Sequence, residues 1–454
     1  MNTKAPARKS ARFLNGALMP HIIKMTLSAS IGLISLFLVD VADLYFLSIL
    51  EDESILAALG FASTIIFFSI SINIGFMIAV VALVSKAVGE GDHAGAKRLN
   101  MNGMFIAFAC NCVMASMIWV FCPALLKALG AEGVAITYAT SYMRILVISL
   151  PVLALGMCAS GALRAVGDAR QSMYSMLAAS IVNAALDPLF IFTFNMGIEG
   201  AALASALSRF VIVGIAFYGL YKNHDLIGKY SIASLKPDLK PVLQIAIPAI
   251  ATNLATPIGT AFVYNRMAQF GESAIAGLSM VMRVETVAFA IIYSLSGAIG
   301  PIIGQNFGAQ QFDRITQALH EGLKFILIYV LLMGVVLFFS DHLVIGFFRA
   351  SDEAAMLISH FGTWLAWAYI FNGCLFVAMA AFNNLGQAKM ATVMNWGKAT
   401  IGLIPFVYLG GQYFGAKGVL CGQFIASVFF GLFALYLAHR RIDMIRQRSG
   451  KAGA

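Results

Sequence analysis

Uncharged apolar stretches about as long as a bilayer is thick recur along the whole chain, and this recurrence fixes the fold class. A membrane-spanning helix needs about 20 apolar residues. Residues 99–126, 354–388 and 418–438 contain no Lys, Arg, Asp or Glu at all. Twelve spans are placed near 20–50, 55–86, 99–126, 136–163, 171–195, 199–222, 241–270, 273–307, 316–340, 354–381, 389–411 and 416–438. Only 11% of the residues are charged and 60% are hydrophobic. A soluble domain carries about 25% charged residues, so a soluble enzyme is excluded. The expected fold is an all-α membrane protein of twelve transmembrane helices.

The net charge is +9. Gathered into one patch, that excess would suit a nucleic-acid partner. It is instead spread over alternate connections. Lys97, Arg98, Arg164, Arg170, Lys229, Lys236, Lys240, Arg314, Lys389 and the tail Arg440, Arg441, Arg446, Arg448 and Lys451 fall on one side. The other side has Lys127, Arg349 and Lys417, with the acids Glu51, Asp52, Glu53, Glu199 and Glu272. By the positive-inside bias both termini are cytoplasmic, in an inner membrane, and no nucleic-acid partner is expected. The N-terminal basic residues Lys4, Arg8, Lys9 and Arg12 lack the short apolar core and cleavage site of a signal peptide. The six cysteines sit in apolar stretches without metal or disulfide spacing.

The chain repeats itself. Residues 53–59 (ESILAAL) reappear as 272–278 (ESAIAGL), an offset of 219. Gly89 matches Gly308, and Gly167 and Ala169 match Gly386 and Ala388, at the same offset. Gly197 and Gly200 match Gly415 and Gly418 at 218. The expected organisation is a cytoplasmic tail (1–19), an amino lobe of six helices (20–222), a cytoplasmic linker (223–240), a carboxyl lobe of six helices (241–438) and a basic cytoplasmic tail (439–454). Six spans per half return each half to the side where it began. The halves are therefore parallel repeats about an axis along the membrane normal, an arrangement suited to a rocking transporter.

Ionisable groups inside a span cost about 2.5–3.5 kcal/mol each on insertion scales, so their placement is informative. Asp40 and Asp43 share a face of the first span at i, i+3, and Asn183 and Asp187 share a face of the fifth at i, i+4. Counting helical rise, Asp43, Asp187 and Ser205 of the sixth span all lie about 6–8 residues below the outer surface. At offset 219 the second half has Phe262 and Phe406 in place of Asp43 and Asp187. Glue would be duplicated; chemistry need not be. Poorly solvated neighbouring carboxylates favour protonation, and the same oxygens suit Na⁺. Both ions stay open as coupling ion, with H⁺ favoured by mutual repulsion of the acids. No other metal and no cofactor is expected. Pro188 leaves the Ala184 carbonyl without its usual donor and marks a helix bend. In the second half Arg283, Glu285 and Lys398 are candidates to line a substrate cavity, whereas Arg266, near a helix end, is expected to snorkel.

These residues resemble the multidrug and toxic compound extrusion (MATE) family, DinF-like branch, over the whole twelve-span region. The match rests on Gly304-Gln305-Asn306-Phe307-Gly308-Ala309 preceded by Pro301, on its counterpart 85–92, and on Val39-Asp40-Val41-Ala42-Asp43 with Leu47 beyond. Asn183, Asp187, Pro188 and Ser205 resemble that branch's amino-lobe cation site, where threonine often replaces the serine. Ser28 stands where that branch often has a helix-bending proline, and the acids of the NorM-like seventh and tenth helices are missing. The resemblance implies two pseudo-symmetric lobes and cation-coupled export of cationic or amphipathic organic compounds, with no enzymatic activity. A flippase for a lipid-linked or amphipathic envelope precursor is the alternative. A monomer in the lipid bilayer is expected.

Overall fold

In a computed structural model, residues 11–228 and 232–452 are described. Lys4, Arg8, Lys9 and Lys229, and the side chain of Lys451, fall outside that description.

Helix covers nearly all of it. The elements of the first half are α1 (Leu18–Ser48), α2 (Glu53–Gly89), α3 (His93–Ala128), α4 (Gly133–Ile148), α5 (Leu150–Ala165), α6 (Ala169–Pro188) and α7 (Gly197–Tyr218). Those of the second are α8 (Ile232–Met267), α9 (Glu272–Ala288), α10 (Ala290–Gly308), α11 (Phe312–Phe348), α12 (Asp352–His360), α13 (Tyr369–Asn384), α14 (Ala388–Gly397) and α15 (Leu403–Ala452). Among the described residues, nine helices are long and apolar enough to cross a membrane, and two bent pairs, α4 with α5 at 49° and α9 with α10 at 45°, make eleven. The last stretch, Ala388–Ser449, is 62 residues long and turns at Gly415 (φ 62°), which makes it two spans and the total twelve. Side chains such as Val113, Phe339 and Ile401, more than half exposed, supply the apolar exterior that lipid requires.

The helices outrun the spans read from hydropathy. The third runs His93–Ala128 and the ninth Phe312–Phe348, because polar ends continue the hydrogen-bonded ladder past the apolar core. Likewise α8 begins at Ile232, inside the polar segment 223–240, and α15 continues into the basic tail as far as Ala452. Capping sets several starts: Asp52 accepts from the Ser54 N–H, Asp92 from Gly95 and Asp168 from Gln171. In the loop before α2, the Ser54 N–H holds the Asp52 carboxyl below its ordinary range.

Several spans read as single helices are interrupted. The fourth breaks at Ser149, just ahead of Pro151, and Arg209 donates to the Leu146 carbonyl (3.2 Å) and the Ser149 hydroxyl (2.7 Å) there. The eighth breaks at Phe289. The tenth passes from α12 through a π turn (Phe361–Leu365) and a 3₁₀ turn (Ala366–Ala368) into α13. By contrast α1 is continuous from Leu18 to Ser48.

The chain forms two compact units. Of the described residues, the first comprises 11–16, 28–228, 232–250 and 304–309; the second comprises 17–27, 251–303 and 310–452. In the first, Leu47, Ile55, Ile65, Ile118, Leu126, Tyr142 and Leu146 form a core among small residues. The Gly-Gln-Asn motif at 304–306 belongs to it. A Cβ on Gly89 would lie 2.0 Å from the Gln305 carbonyl oxygen, and one on Gly308 would lie 2.1 Å from that of Lys86. Only glycine permits that backbone crossing. Gln305 receives the Phe13 N–H (3.1 Å) and donates to the Ala165 carbonyl (2.7 Å), and Arg12 donates to the Gly167 carbonyl (3.0 Å). In the second unit, Gly373 admits Ile326 and Gly431 admits the Phe371 carbonyl, the small-residue contacts by which membrane helices approach.

Candidate cation site

Three helices of the first unit deliver the polar side chains. Asp43 comes from α1, Asn183 and Asp187 from successive turns of α6, and Ser205 and Ser208 from α7. The Asn183 amide nitrogen donates to Asp187 (2.8 Å) and to Asp43 (3.2 Å), and Ser205 donates to Asp43 at 3.5 Å. The carboxyl groups of Asp43 and Asp187 also act directly on each other.

Burial separates these acids. Asp187 is fully buried, and its Oδ1 has no hydrogen-bond partner among the described residues. Asp43 is half-buried. Asp40 is exposed and makes no hydrogen bond to the cluster, although it is close enough to act electrostatically on Asp43. A buried carboxylate oxygen without a donor is costly and calls for a proton or a cation. Pro188 follows directly, and the helix turns from α to π over Leu189–Thr193, the kind of irregularity that concentrates at functional sites.

Two features went unread in the sequence. Ser208 donates to the Asn183 Oδ1 at 3.2 Å, so the amide nitrogen, not its oxygen, faces the acids. In this orientation Asn183 offers the acids N–H donors rather than an oxygen ligand. Ser208 lies at i+3 from Ser205, and that spacing was the available signal. Arg209, the next residue, is buried where α4 meets α5; its signal was a lone cation midway along the sixth span.

The second-half candidates divide. Glu285 of α9 has the Tyr369 hydroxyl and the Lys398 ammonium acting on it, and Lys398 donates to the Asn372 side-chain oxygen. Arg283 does not join them. It is exposed beside an apolar groove of about 550 Å³ formed with Val287, Met333, Leu337 and Phe347. Arg266 does not snorkel freely; its guanidinium lies 4.4 Å from the centre of the Tyr408 ring, a cation–π contact.

Comparison with known proteins places this architecture. The MatE family model matches residues 29–189 and 248–409. An FAD transporter of Shewanella oneidensis is 28% identical over 431 residues, covering 94% of this chain and 95% of that protein. The multidrug export protein MepA of Staphylococcus aureus is 26% identical over 434 residues, covering 93% and 94%. The crystal structure of the Vibrio cholerae MATE transporter VcmN in the bent form superposes with a TM-score of 0.90 at 24% identity, covering 94% of this chain and 97% of that one. An outward-facing multidrug resistance MATE transporter gives 0.90 at 20% identity, covering 97% and 99%. Twelve spans carrying a polar cluster, with a family match over most of both halves, define a multi-span membrane transporter. The chain belongs to the MATE family.

Proposed function

We propose that this protein is an antiporter that exports cationic or amphipathic organic compounds in exchange for a cation, by alternating access. The observation that carries the reading is the Asp43–Asn183–Asp187 cluster, with one buried carboxylate oxygen left unpartnered. Such a site gains most from an occupant that is positive and removable, which suits exchange between a drug and a coupling ion. H⁺ is favoured over Na⁺, because Asn183 presents nitrogen to the acids and a proton needs no further oxygen ligands. The likeness to MepA, a multidrug export protein, supports small organic substrates. The likeness to an FAD transporter supports aromatic, charged substrates as a second class. A flippase for lipid-linked precursors is less suited to an acidic cluster. An inner-membrane placement with both termini cytoplasmic follows from the charge alternation.

The test is efflux from proteoliposomes with pH and Na⁺ gradients imposed separately. Drug efflux under a pH gradient in nominally Na⁺-free buffer is expected. Efflux that appears only with Na⁺ would overturn the proton assignment.

A further inference from the structure

Arg283 stands beside a groove that the second unit builds from three helices. α9 and α11 are pinned together at one end, where the Tyr329 hydroxyl of α11 donates to the Ala288 carbonyl of α9 (2.6 Å). Toward the other end α12 lies against both. A Cβ on Gly277 of α9 would lie 2.8 Å from the Ala354 Cα, so those two backbones nearly touch. The Ser359 hydroxyl of α12 donates to Asp341 of α11 (2.9 Å). Two helices tied at one end and held on a third at the other leave a space between them. Its volume is about 550 Å³, inside the range of organic-ligand sites, about 300–1,000 Å³.

The walls are apolar but for one group. Val287, Met333, Leu337, Val344 and Phe348 contribute hydrocarbon, and Arg283 is the single charged residue among those lining the groove. Among the described residues no hydrogen bond or ion pair reaches Arg283. Nearby acids are turned away from it. Asp341, one turn past Leu337 on α11, takes the Ser359 hydroxyl, and Glu285 stands at i+2 on another face of α9. A guanidinium carries five donors and no acceptor. Left without a counter-charge against apolar walls, it favours an anion, and its planar fork suits carboxylate, sulfonate and phosphate groups.

The groove is also open. Val287 is 77% exposed and Phe347 83%, and Arg283 is exposed at the rim. A ligand therefore reaches the charge without displacing a protein partner. An apolar pocket with one placed charge holds the body of a ligand by area and sets its orientation by that charge.

We infer that this groove is a binding site for amphipathic organic anions, with the apolar body against Met333, Leu337 and Phe347 and the anionic group on Arg283. The acidic cluster of the first unit offers nothing to an anion, so the two sites differ in the sign of charge they accept. The inference goes beyond the exchange of cationic compounds and does not rest on it.

A matched pair of fluorescent probes tests it. 8-Anilinonaphthalene-1-sulfonate and N-phenyl-1-naphthylamine share a ring skeleton, and only the first carries an anion. Binding of each is measured on the full-length protein in nanodiscs of zwitterionic lipid, with the signal of empty nanodiscs subtracted. Arg283→Gln is expected to weaken the sulfonate about tenfold, the scale of a lost charged hydrogen bond, and to leave the neutral probe within about twofold. Arg283→Lys keeps the charge and is expected to retain most of the sulfonate binding. Val287→Trp fills the groove from an exposed position and is expected to weaken both probes. Thermal melts establish that each variant is folded. Equal losses for both probes in folded Arg283→Gln, or no loss of the sulfonate, overturn the site. So does wild-type sulfonate binding that vanishes when phosphatidylglycerol is added to the nanodisc, because the groove would then belong to an anionic lipid.

Discussion

The two halves share their turns and differ in their charges. Gly89 and Gly308, 219 residues apart, sit at one reciprocal backbone crossing. Gly167 and Gly386 both have positive φ, 85° and 74°, and so do Gly197 and Gly415, at 54° and 62°. The fourth and tenth spans are both interrupted, at Ser149 and at Ala366–Ala368, again near the same offset. None of the charged sites obeys it. Asp43 and Asp187 correspond to Phe262 and Phe406, and Glu285 and Lys398 to Ile66 and Ala179. What the repeat duplicates is therefore backbone geometry, which every copy needs in order to fold. The charges are unique, and a residue present in one copy alone is a better guide to chemistry than one present in both.

The largest expected effect falls on the first half. Asp187→Asn and Asp43→Asn are each expected to cut gradient-driven efflux by at least about tenfold, on the scale of one buried charged hydrogen bond, while membrane levels stay near wild type. The comparable change at a matched position, Phe406→Leu, is expected to leave coupling intact. Wild-type efflux in both aspartate variants would mean that the asymmetry of charge is not where coupling resides.

Next come the shared glycines. A Cβ at Gly89 or at Gly308 meets a backbone carbonyl near 2 Å, which no side-chain motion relieves. Gly89→Ala and Gly308→Ala are each expected to destabilise by about 1–3 kcal/mol, the usual range for overpacking, and to lower the melting temperature in detergent by similar amounts. One variant melting early and its counterpart melting like wild type would break the symmetry of that crossing. A smaller effect is expected at Ser208. Ser208→Ala removes the donor that orients the Asn183 amide, at a cost of about 0.5–1.5 kcal/mol. That corresponds to a few-fold loss in coupled efflux, which Ser208→Thr should restore.

Apolar run lengths and charge alternation made the twelve spans legible, and the acids of the first cluster were legible from helical spacing and depth. Asp43, Asn183, Asp187 and Ser205 do meet across α1, α6 and α7. What depended on side-chain direction was not legible. Spacing cannot tell which end of an amide faces a carboxylate, and Asn183 turns its nitrogen there because Ser208, on another helix, holds its oxygen. The tenth-span interruption has no proline to announce it; a Cβ on Gly362 would lie 3.1 Å from the Leu337 carbonyl oxygen, a contact long-range in sequence. Glu285 and Lys398 lie 113 residues apart, and only the folded second unit shows that they act on each other while Arg283, two residues from Glu285, looks elsewhere.

The smallest effect sharpens the same comparison inside one helix. Asp40 and Asp43 are one turn apart on α1 and look equivalent in the sequence, yet Asp43 bonds to Asn183 and Ser205 while Asp40 stays exposed. Asp40 acts on Asp43 through its charge, and the field of an exposed charge is screened by salt more than that of a buried one. Asp40→Asn is therefore expected to lower coupled efflux by less than either buried-site variant, by about twofold at low salt, with the deficit shrinking as ionic strength rises. Asp43→Asn should show no such rescue, because its loss removes hydrogen bonds that salt does not screen. Efflux measured for both variants over a range of ionic strengths separates the two roles. A salt-insensitive loss in Asp40→Asn as deep as that of Asp43→Asn would place Asp40 inside the site, and the division between a bonded acid and a field-setting acid would be wrong.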